Sequence, residues 1–423
     1  MNRYTVILFI TALFVVLDFY VFFAIKQIVS DAHPVAKRIF FLFYWTYSAF
    51  CVGTLLYFSS GGFERVNAIS RNFIVSAVFI NLLFKLLMSI FLVLEDVVRG
   101  FAYAWGKLFE EKRNVSQLPD ASENVQLMSR SSFFVKTALA VSSTPVIALT
   151  YGILSGAYDY RVKRVKVVLP NLPKSFDGFR IAQISDIHSG SFYNKKAVAG
   201  GVDLLLGEKP DVVFFTGDLV NNTADEARDY VSIFQKIKAP MGVFSTLGNH
   251  DYGDYVSWPS LEAKRQNLAM LKQAHKEMGW RLLMNEHLFL EQGADKIAVL
   301  GIENFGAKGH FPKYGKMSLA YPGTEEAPVK LLLSHDPSHW DYEVRPKYSD
   351  IDIMFSGHTH GMQFGVDTKY LKWSPVQYMY KQWAGLYQEG NQYLYVNRGY
   401  GFLGYPGRVG ILPEITVMEL VRA

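Results

Sequence analysis

Thiols are almost missing from this chain: Cys51 is the single cysteine among 423 residues. A soft thiolate ligand set is therefore excluded, and any bound metal must be held by oxygen and nitrogen donors. Because Cys51 lies inside an apolar run, it leaves the redox compartment open. A strong charge imbalance is also lacking. The formal net charge of +5 is modest and comes partly from basic residues flanking apolar segments, which gives no reason to propose a nucleic-acid partner. The chain has neither an internal repeat nor a low-complexity tract.

Charge is also scarce locally. Charged residues make up 19% of the chain, an ordinary share, yet residues 39–62 and 137–158 contain none, and each run is long enough to span a bilayer. Residues 4–25 and 73–94 are equally apolar apart from one ionisable side chain each, Asp18 and Lys85. Four transmembrane helices are expected. The first run exceeds the apolar core of a secretory signal and is followed by no small-residue cleavage site. A lone charge within a membrane helix is costly, so either Asp18 and Lys85 face one another inside the bundle, or each finds water or the interface separately. Residues 110–131, rich in Asn, Ser, Gln and Asp, read as an extramembrane loop with little structure. An even number of spans puts the N-terminus and everything after the fourth helix on one side. Basic residues are nearly balanced between the two sides, and the dense group Arg161, Lys163, Arg164 and Lys166 leans toward the cytoplasm.

From residue 159 the pattern becomes that of a soluble α/β domain, so the expected division is a transmembrane domain at 1–158 and an α/β domain at 159–423. Strand-like runs at 165–169, 180–185, 211–216, 242–247, 297–301, 329–334, 352–356 and 392–397 are bounded by Gly, Pro or polar residues. Helices are expected at 223–236, where Thr223 and Glu226 have capping-box spacing, and at 260–278. This alternation implies a sheet-centred α/β layer fold.

Five short polar motifs sit at the ends of the apolar runs: Asp186-Ile187-His188, Gly217-Asp218, Gly248-Asn249-His250-Asp251, Ser334-His335 and Gly357-His358-Thr359-His360. A strand that stops on such residues releases its side chains at a sheet rim, where donors from distant parts of the chain can converge. Asp, His and Asn suit Mn, Fe or Zn, and two such ions roughly 3.5–4 Å apart can clamp a phosphoryl group and activate water. A metal pair needs a shared ligand. Asp218 is the natural candidate because it stands alone, while its neighbours come in Asp-x-His and His-x-His pairs. His275, His287, His310 and His339 match no motif and read as structural or surface residues.

In this order the motifs resemble the signature of the calcineurin-like metallophosphoesterases, over roughly the last two-thirds of the chain. The resemblance implies a four-layer αββα sandwich with two divalent transition metals (Mn, Fe or Zn). By the family pattern Asp186, His188, Asp218 and His360 hold the first, and Asp218, Asn249, His335 and His358 the second. His250 is then the non-ligand acid that protonates the leaving oxygen or steadies the transition state, and Asp251 orients its ring. Residues 172–188 and 396–415 further resemble a membrane-attached bacterial branch that includes lipid-directed pyrophosphatases.

The leading expectation is a membrane-anchored dinuclear phosphoesterase acting on a phosphodiester or pyrophosphate. The short link after the fourth helix would hold it near headgroups, so membrane lipids and a lipid-linked phosphorylated substrate are the expected partners, with oligomeric state unknown. The rival class is a membrane sensor or transport module whose soluble domain binds metal or nucleotide without turnover; a pure binding site has no need of a non-ligand acid. The aromatic segment with Tyr370, Trp373, Tyr378, Tyr380, Trp383 and Tyr387, interleaved with lysines, is either a lipid contact or the inner face of a loop.

Overall fold

The computed structural model describes residues 3–108 and 130–423. Most of the expected polar loop, residues 110–129, lies outside the described residues, and residues 130 and 131 already belong to a helix. Contacts divide the chain into two units, residues 1–150 and 151–423.

The first unit is helical: α1 (Arg3–Ile28), α2 (Pro34–Ser59), α3 (Ala68–Leu108) and α4 (Arg130–Leu154), the last four residues of α4 belonging to the second unit. All four helices are long and apolar enough to cross a membrane. Pro34 opens α2 at its first turn, where a missing N–H costs nothing. Asp18 and Lys85, both buried, form an ion pair between α1 and α3. Ser48 donates to the second Asp18 oxygen and the Tyr44 hydroxyl to the Asp18 carbonyl at 2.8 Å. The Lys85 ammonium also lies 4.1 Å from the centroid of Phe14. The two charges thus solve one another's solvation problem inside the bundle.

The second unit contains strands β1 (Arg161–Leu169), β2 (Arg180–Ile184), β3 (Val212–Thr216), β4 (Val243–Thr246), β5 (Arg281–Leu282), β6 (Glu286–Gln292) and β7 (Asp295–Gly301). They are followed by β8 (Lys330–Leu333), β9 (Ile353–Ser356), β10 (Val366–Asp367), β11 (Lys372–Trp373), β12 (Gly385–Glu389), β13 (Gln392–Val396) and β14 (Glu414–Arg422). One sheet has the order β1-β14-β2-β3-β4-β5, the other β12-β13-β9-β8-β7-β6, and β10 and β11 form a separate hairpin. In the first sheet β2, β3, β4 and β5 run parallel, with β14 antiparallel to β2.

The sheets are mixed and stack face to face. Alternate residues such as Ile181, Phe214, Leu331, Phe355 and Met418 fill the space between them, with the Phe214 and Phe355 rings 5.1 Å apart. Helices Lys195–Gly207 and Leu261–Glu277 cover the outer face of the first sheet through Val198, Val202 and Leu271. Met317, Trp340 and Val344, from short helices, cover that of the second. Ser260 caps the Leu261–Glu277 helix by accepting from Ala263 N at 3.1 Å. All eight expected strands are present with shifted ends, and the fold is the expected α/β sandwich behind four membrane helices. The continuous helix expected at 223–236 is instead two short ones, Asp225–Arg228 and Val231–Phe234. The Glu226 carboxylate does turn back to Thr223 N, but Tyr230, at the break, is held by its hydroxyl on the Phe192 carbonyl at 3.0 Å.

Removing only one partner of the Asp18–Lys85 pair strands a buried charge, a loss of about 3–5 kcal/mol. Lys85→Met is therefore expected to lower the thermal unfolding midpoint in detergent micelles sharply, and Asp18→Asn combined with Lys85→Met to recover most of it. An additive double variant would contradict a direct pairing.

Candidate metal centre

Each motif begins where a strand stops. β2, β3 and β4 deliver Asp186, Asp218 and Asn249, while β8 and β9 deliver His335 and His358. The chain turns sharply there: Asp186, His188, Asp218, His358 and His360 all have φ between 48° and 71°, a left-handed conformation that bulky residues avoid. Such strain concentrates where the surrounding structure fixes a functional geometry.

The seven candidate ligands converge in two groups. Donor atoms of Asp186, His188 and His360 lie within 4.8 Å of one another, as do those of Asp218, His335 and His358. In the first, His360 Nε2 is 3.2 Å from Asp186 Oδ1 and 3.0 Å from His188 Nε2. In the second, Asn249 Oδ1 joins in, 3.1 Å from His335 Nε2 and 2.8 Å from His358 Nδ1. Asp218 lies between them: its Oδ2 is 3.1 Å from His335 Nε2 and 3.6 Å from His188 Nε2.

The donor chemistry fits divalent cations. Asp186 and Asp218 are buried, and among the described residues only histidines form ion pairs with them. Imidazole nitrogens 3.0–3.3 Å apart converge on common space, an arrangement that suits a shared cation. The outer ring atoms are fixed as metal-binding histidines require: His188 Nδ1 lies 3.1 Å from Asn221 Oδ1, and His335 Nδ1 donates to the Thr216 carbonyl at 2.7 Å. His358 Nε2 is 2.9 Å from the Tyr380 hydroxyl, which in turn donates to Asp336 at 3.4 Å.

His250 stands at the edge of this cluster, its ring 5.0 Å from that of His188. Its backbone N–H donates to Asp218 Oδ1 at 2.9 Å, and Nδ1 faces the Asn221 carbonyl at 2.7 Å. The Nδ1 proton is thereby fixed and Nε2 is left for other work. Asp251 does not orient this ring, contrary to expectation. Its carboxylate accepts from the backbone N–H groups of Gly248, Asp218 and Leu219 at 2.8–2.9 Å, so it fixes the loop that carries Asp218.

Asn221, Asp336, Tyr380 and Arg408 were not singled out as site residues in the sequence. Asp336 follows His335 directly, which is a faint signal. Arg408 lies in a Gly- and Pro-rich stretch far downstream and shows none, yet it is buried with Nη2 3.2 Å from His360 Nδ1. The aromatic segment proves divided. Tyr380 and Trp383 are buried, Tyr370 and Tyr378 exposed. Of the unmatched histidines, His275 and His339 are buried on serine hydroxyls, at 3.0 Å from Ser245 and Ser334 respectively.

Neighbouring charges shift one another within the cluster. Burial opposes the charged form of His335, but the neighbouring Asp218 prevails and pushes its pKa up to about 10. Burial likewise works against the Asp218 carboxylate, yet the surrounding histidines hold its pKa well below the usual range. Burial and the Asp218 charge raise Asp251 to about 7.

Comparison with known proteins agrees with this geometry. Residues 179–362 match the family model described as calcineurin-like phosphoesterase, and residues 2–157 match one described as the transmembrane domain of a probable calcineurin-like phosphoesterase. The chain is 29% identical over 333 residues to a transmembrane protein with metallophosphoesterase domain from Danio rerio, covering 76% of this chain and 70% of that one. It is 28% identical to the uncharacterized metallophosphoesterase YkuE of Bacillus subtilis, covering 59% and 81%. It is also 28% identical to the UDP-2,3-diacylglucosamine pyrophosphatase LpxG of Chlamydia trachomatis, covering 63% and 93%.

A ligand nitrogen must be free of its proton to hold a cation. Because His335 carries its proton up to about pH 10, metal uptake near neutral pH should release about one proton and weaken as pH falls. Titration calorimetry in buffers of different ionisation enthalpy measures this release. Heats independent of the buffer would contradict it.

Proposed function

The chain belongs to the calcineurin-like phosphoesterases and is a membrane protein with metal-dependent phosphoric ester hydrolase activity; on that premise we propose that it hydrolyses a phosphodiester or pyrophosphate in a lipid-linked substrate, using two divalent ions. The observation that carries the two-ion reading is the position of Asp218 Oδ2 between His188 on one side and His335 on the other. Asp186, His188 and His360 then complete one site, and Asn249, His335 and His358 the other. Bound cations supply polarisation of the phosphoryl group and lower the pKa of water.

The chain's own residues do the rest. With Nδ1–H committed to the Asn221 carbonyl, a protonated His250 has its Nε2–H to donate to the leaving oxygen. Tyr255 accepts from Asn249 Nδ2 at 2.8 Å, which turns the amide oxygen inward. Asp251, by gathering the N–H groups around Asp218, keeps the shared carboxylate at a fixed height. This machinery favours turnover over a sensor that only binds.

The lipid-linked substrate is supported by the membrane helices and by the likeness to LpxG. The run Arg161, Lys163, Arg164 and Lys166 supports a cytoplasmic catalytic unit, although each of these residues also has an acidic partner, Asp159, Asp367, Glu208 and Glu419 respectively.

Asp218→Ala should remove both ions and activity, and elemental analysis of the purified protein measures the first. Retention of two ions per chain would exclude the shared-ligand reading. His250→Ala should keep the metal content and lower kcat by roughly 10²–10⁴, with a smaller loss on nitrophenyl esters, whose leaving group needs little protonation. Assays of phosphomonoesters, soluble diesters and micellar nucleotide-lipid pyrophosphates test the substrate. A higher kcat/KM on the soluble diester than on the lipid pyrophosphates would contradict the lipid assignment.

A further inference from the structure

The β10–β11 hairpin is built inside out. In a soluble hairpin the polar face looks to water and the apolar face to the core. Here Asp367 and Lys372 are paired across the strands and their charged ends engage groups of the domain, although Lys372 stays exposed along its stem. The Asp367 carboxylate accepts from Arg398 Nη2 at 2.8 Å and lies 3.6 Å from Lys163 Nζ, while Lys372 donates to the Ala384 carbonyl and stands 5.1 Å from the Trp383 ring centroid. The opposite face is apolar. Val366 pairs with Trp373, and Phe364, two residues earlier on the same side, has its ring 6.5 Å from that of Trp373. Val366 and Phe364 are exposed, Trp373 is half-buried, and the tip residues Tyr370 and Leu371 are 92% and 55% exposed.

This face is continuous with the end of a membrane helix. The hairpin grows from an extended segment in which Phe364 bridges to Val409, with Val409 N donating to the Gln363 carbonyl at 2.8 Å and Gly365 N to the Val409 carbonyl at 3.0 Å. Arg408 N, one residue earlier, donates at 3.2 Å to the carbonyl of Gly152, in the last turn of α4. A Cβ on Gly152 would stand 2.7 Å from Val409 Cγ2, so helix end and hairpin root touch. On that turn Tyr151 and Leu154 are 65% and 80% exposed, and residues up to Leu154 belong to a span apolar enough to cross a bilayer.

We propose that the β10–β11 hairpin is seated in the interfacial layer of the bilayer that α4 enters, with Phe364, Val366 and Trp373 against the acyl boundary and Tyr370 and Leu371 deepest. Tyr and Trp favour this layer because one end of each ring system is apolar and the other polar. Lys369, beside the Tyr370 ring, is at the height to meet lipid phosphate. A patch of this composition facing water would be an association hazard; seated in lipid, it fixes the tilt of the domain. The segment leaves the His360 turn through Met362, so the rim of the cluster nearest the hairpin would open along the lipid surface.

The inference depends on α4 spanning the membrane and not on the catalytic reading, and its test needs no substrate. With Cys51 changed to Ser in the full chain, Tyr370→Cys and Leu371→Cys each provide a site for a nitroxide label in nanodiscs. Paramagnetic resonance is expected to show frequent collisions with oxygen and a loss of collisions with a water-soluble nickel chelate at both positions. Full nickel accessibility would mean that the hairpin stands in water, and exclusion of both reagents would mean that protein covers it. Either result overturns the proposal. Turnover of bis(p-nitrophenyl) phosphate by the labelled proteins separates the two readings, because it is expected to match that of the unlabelled chain wherever the hairpin lies.

Discussion

Two buried carboxylates whose ion-pair partners among the described residues are all histidines govern the catalytic unit. Asp186 and Asp218 lie at the ends of neighbouring parallel strands, and a pair of like charges removed from water is tolerable only where strong positive charge is brought to it. The surrounding chain is arranged to hold them there. Gly248 and Gly357 lie so close that a Cβ on the first would overlap Asp218 Oδ1 and on the second Asp186 Oδ2. Left-handed turns at the strand ends are strained, and the mixed sheets beneath supply the rigidity that keeps them. Histidine rings complete the enclosure, each braced at its outer nitrogen by a carbonyl, amide, hydroxyl or guanidinium group.

The membrane unit meets the same difficulty in another way. Asp18 and Lys85 bring both signs within the chain, helped by Ser48 and an aromatic face, so that nothing has to be imported. A charge fully matched inside the chain is a structural fixture, whereas one ringed by donors that could hold a cation is chemically open. The contrast separates an anchoring charge from a working one without reference to sequence position.

Much of this was legible in the chain. Short polar motifs closing apolar runs identify strand ends, and Asp186, Asp218, Asn249, His335 and His358, which stand in such motifs, are brought together by the fold. Uncharged runs located the helices because hydrocarbon tolerates so few exceptions. Facing and long-range approach were not legible. Tyr380, Trp383, Tyr370 and Tyr378 look alike in sequence, yet two turn inward and two outward, which depends on local turns and the neighbours available. Arg408 reaches His360 only because the segment after β13 folds back, and no local pattern records that return. At the break, Tyr230 is likewise tied to a distant group, the Phe192 carbonyl.

β14 lies between β1 and β2, although 253 residues separate Lys166 of β1 from its neighbour Glu419. During synthesis, the strand that directly follows the membrane helices therefore emerges long before its partner exists. β1 has to wait with an open edge while the rest of the domain is made, a state prone to wrong pairing. Its first residues, Arg161, Lys163, Arg164 and Lys166, are charged and resist association with other chains. Completion of the first sheet thus awaits β14, and a nascent chain halted before Glu414 would leave β1 apart from β2.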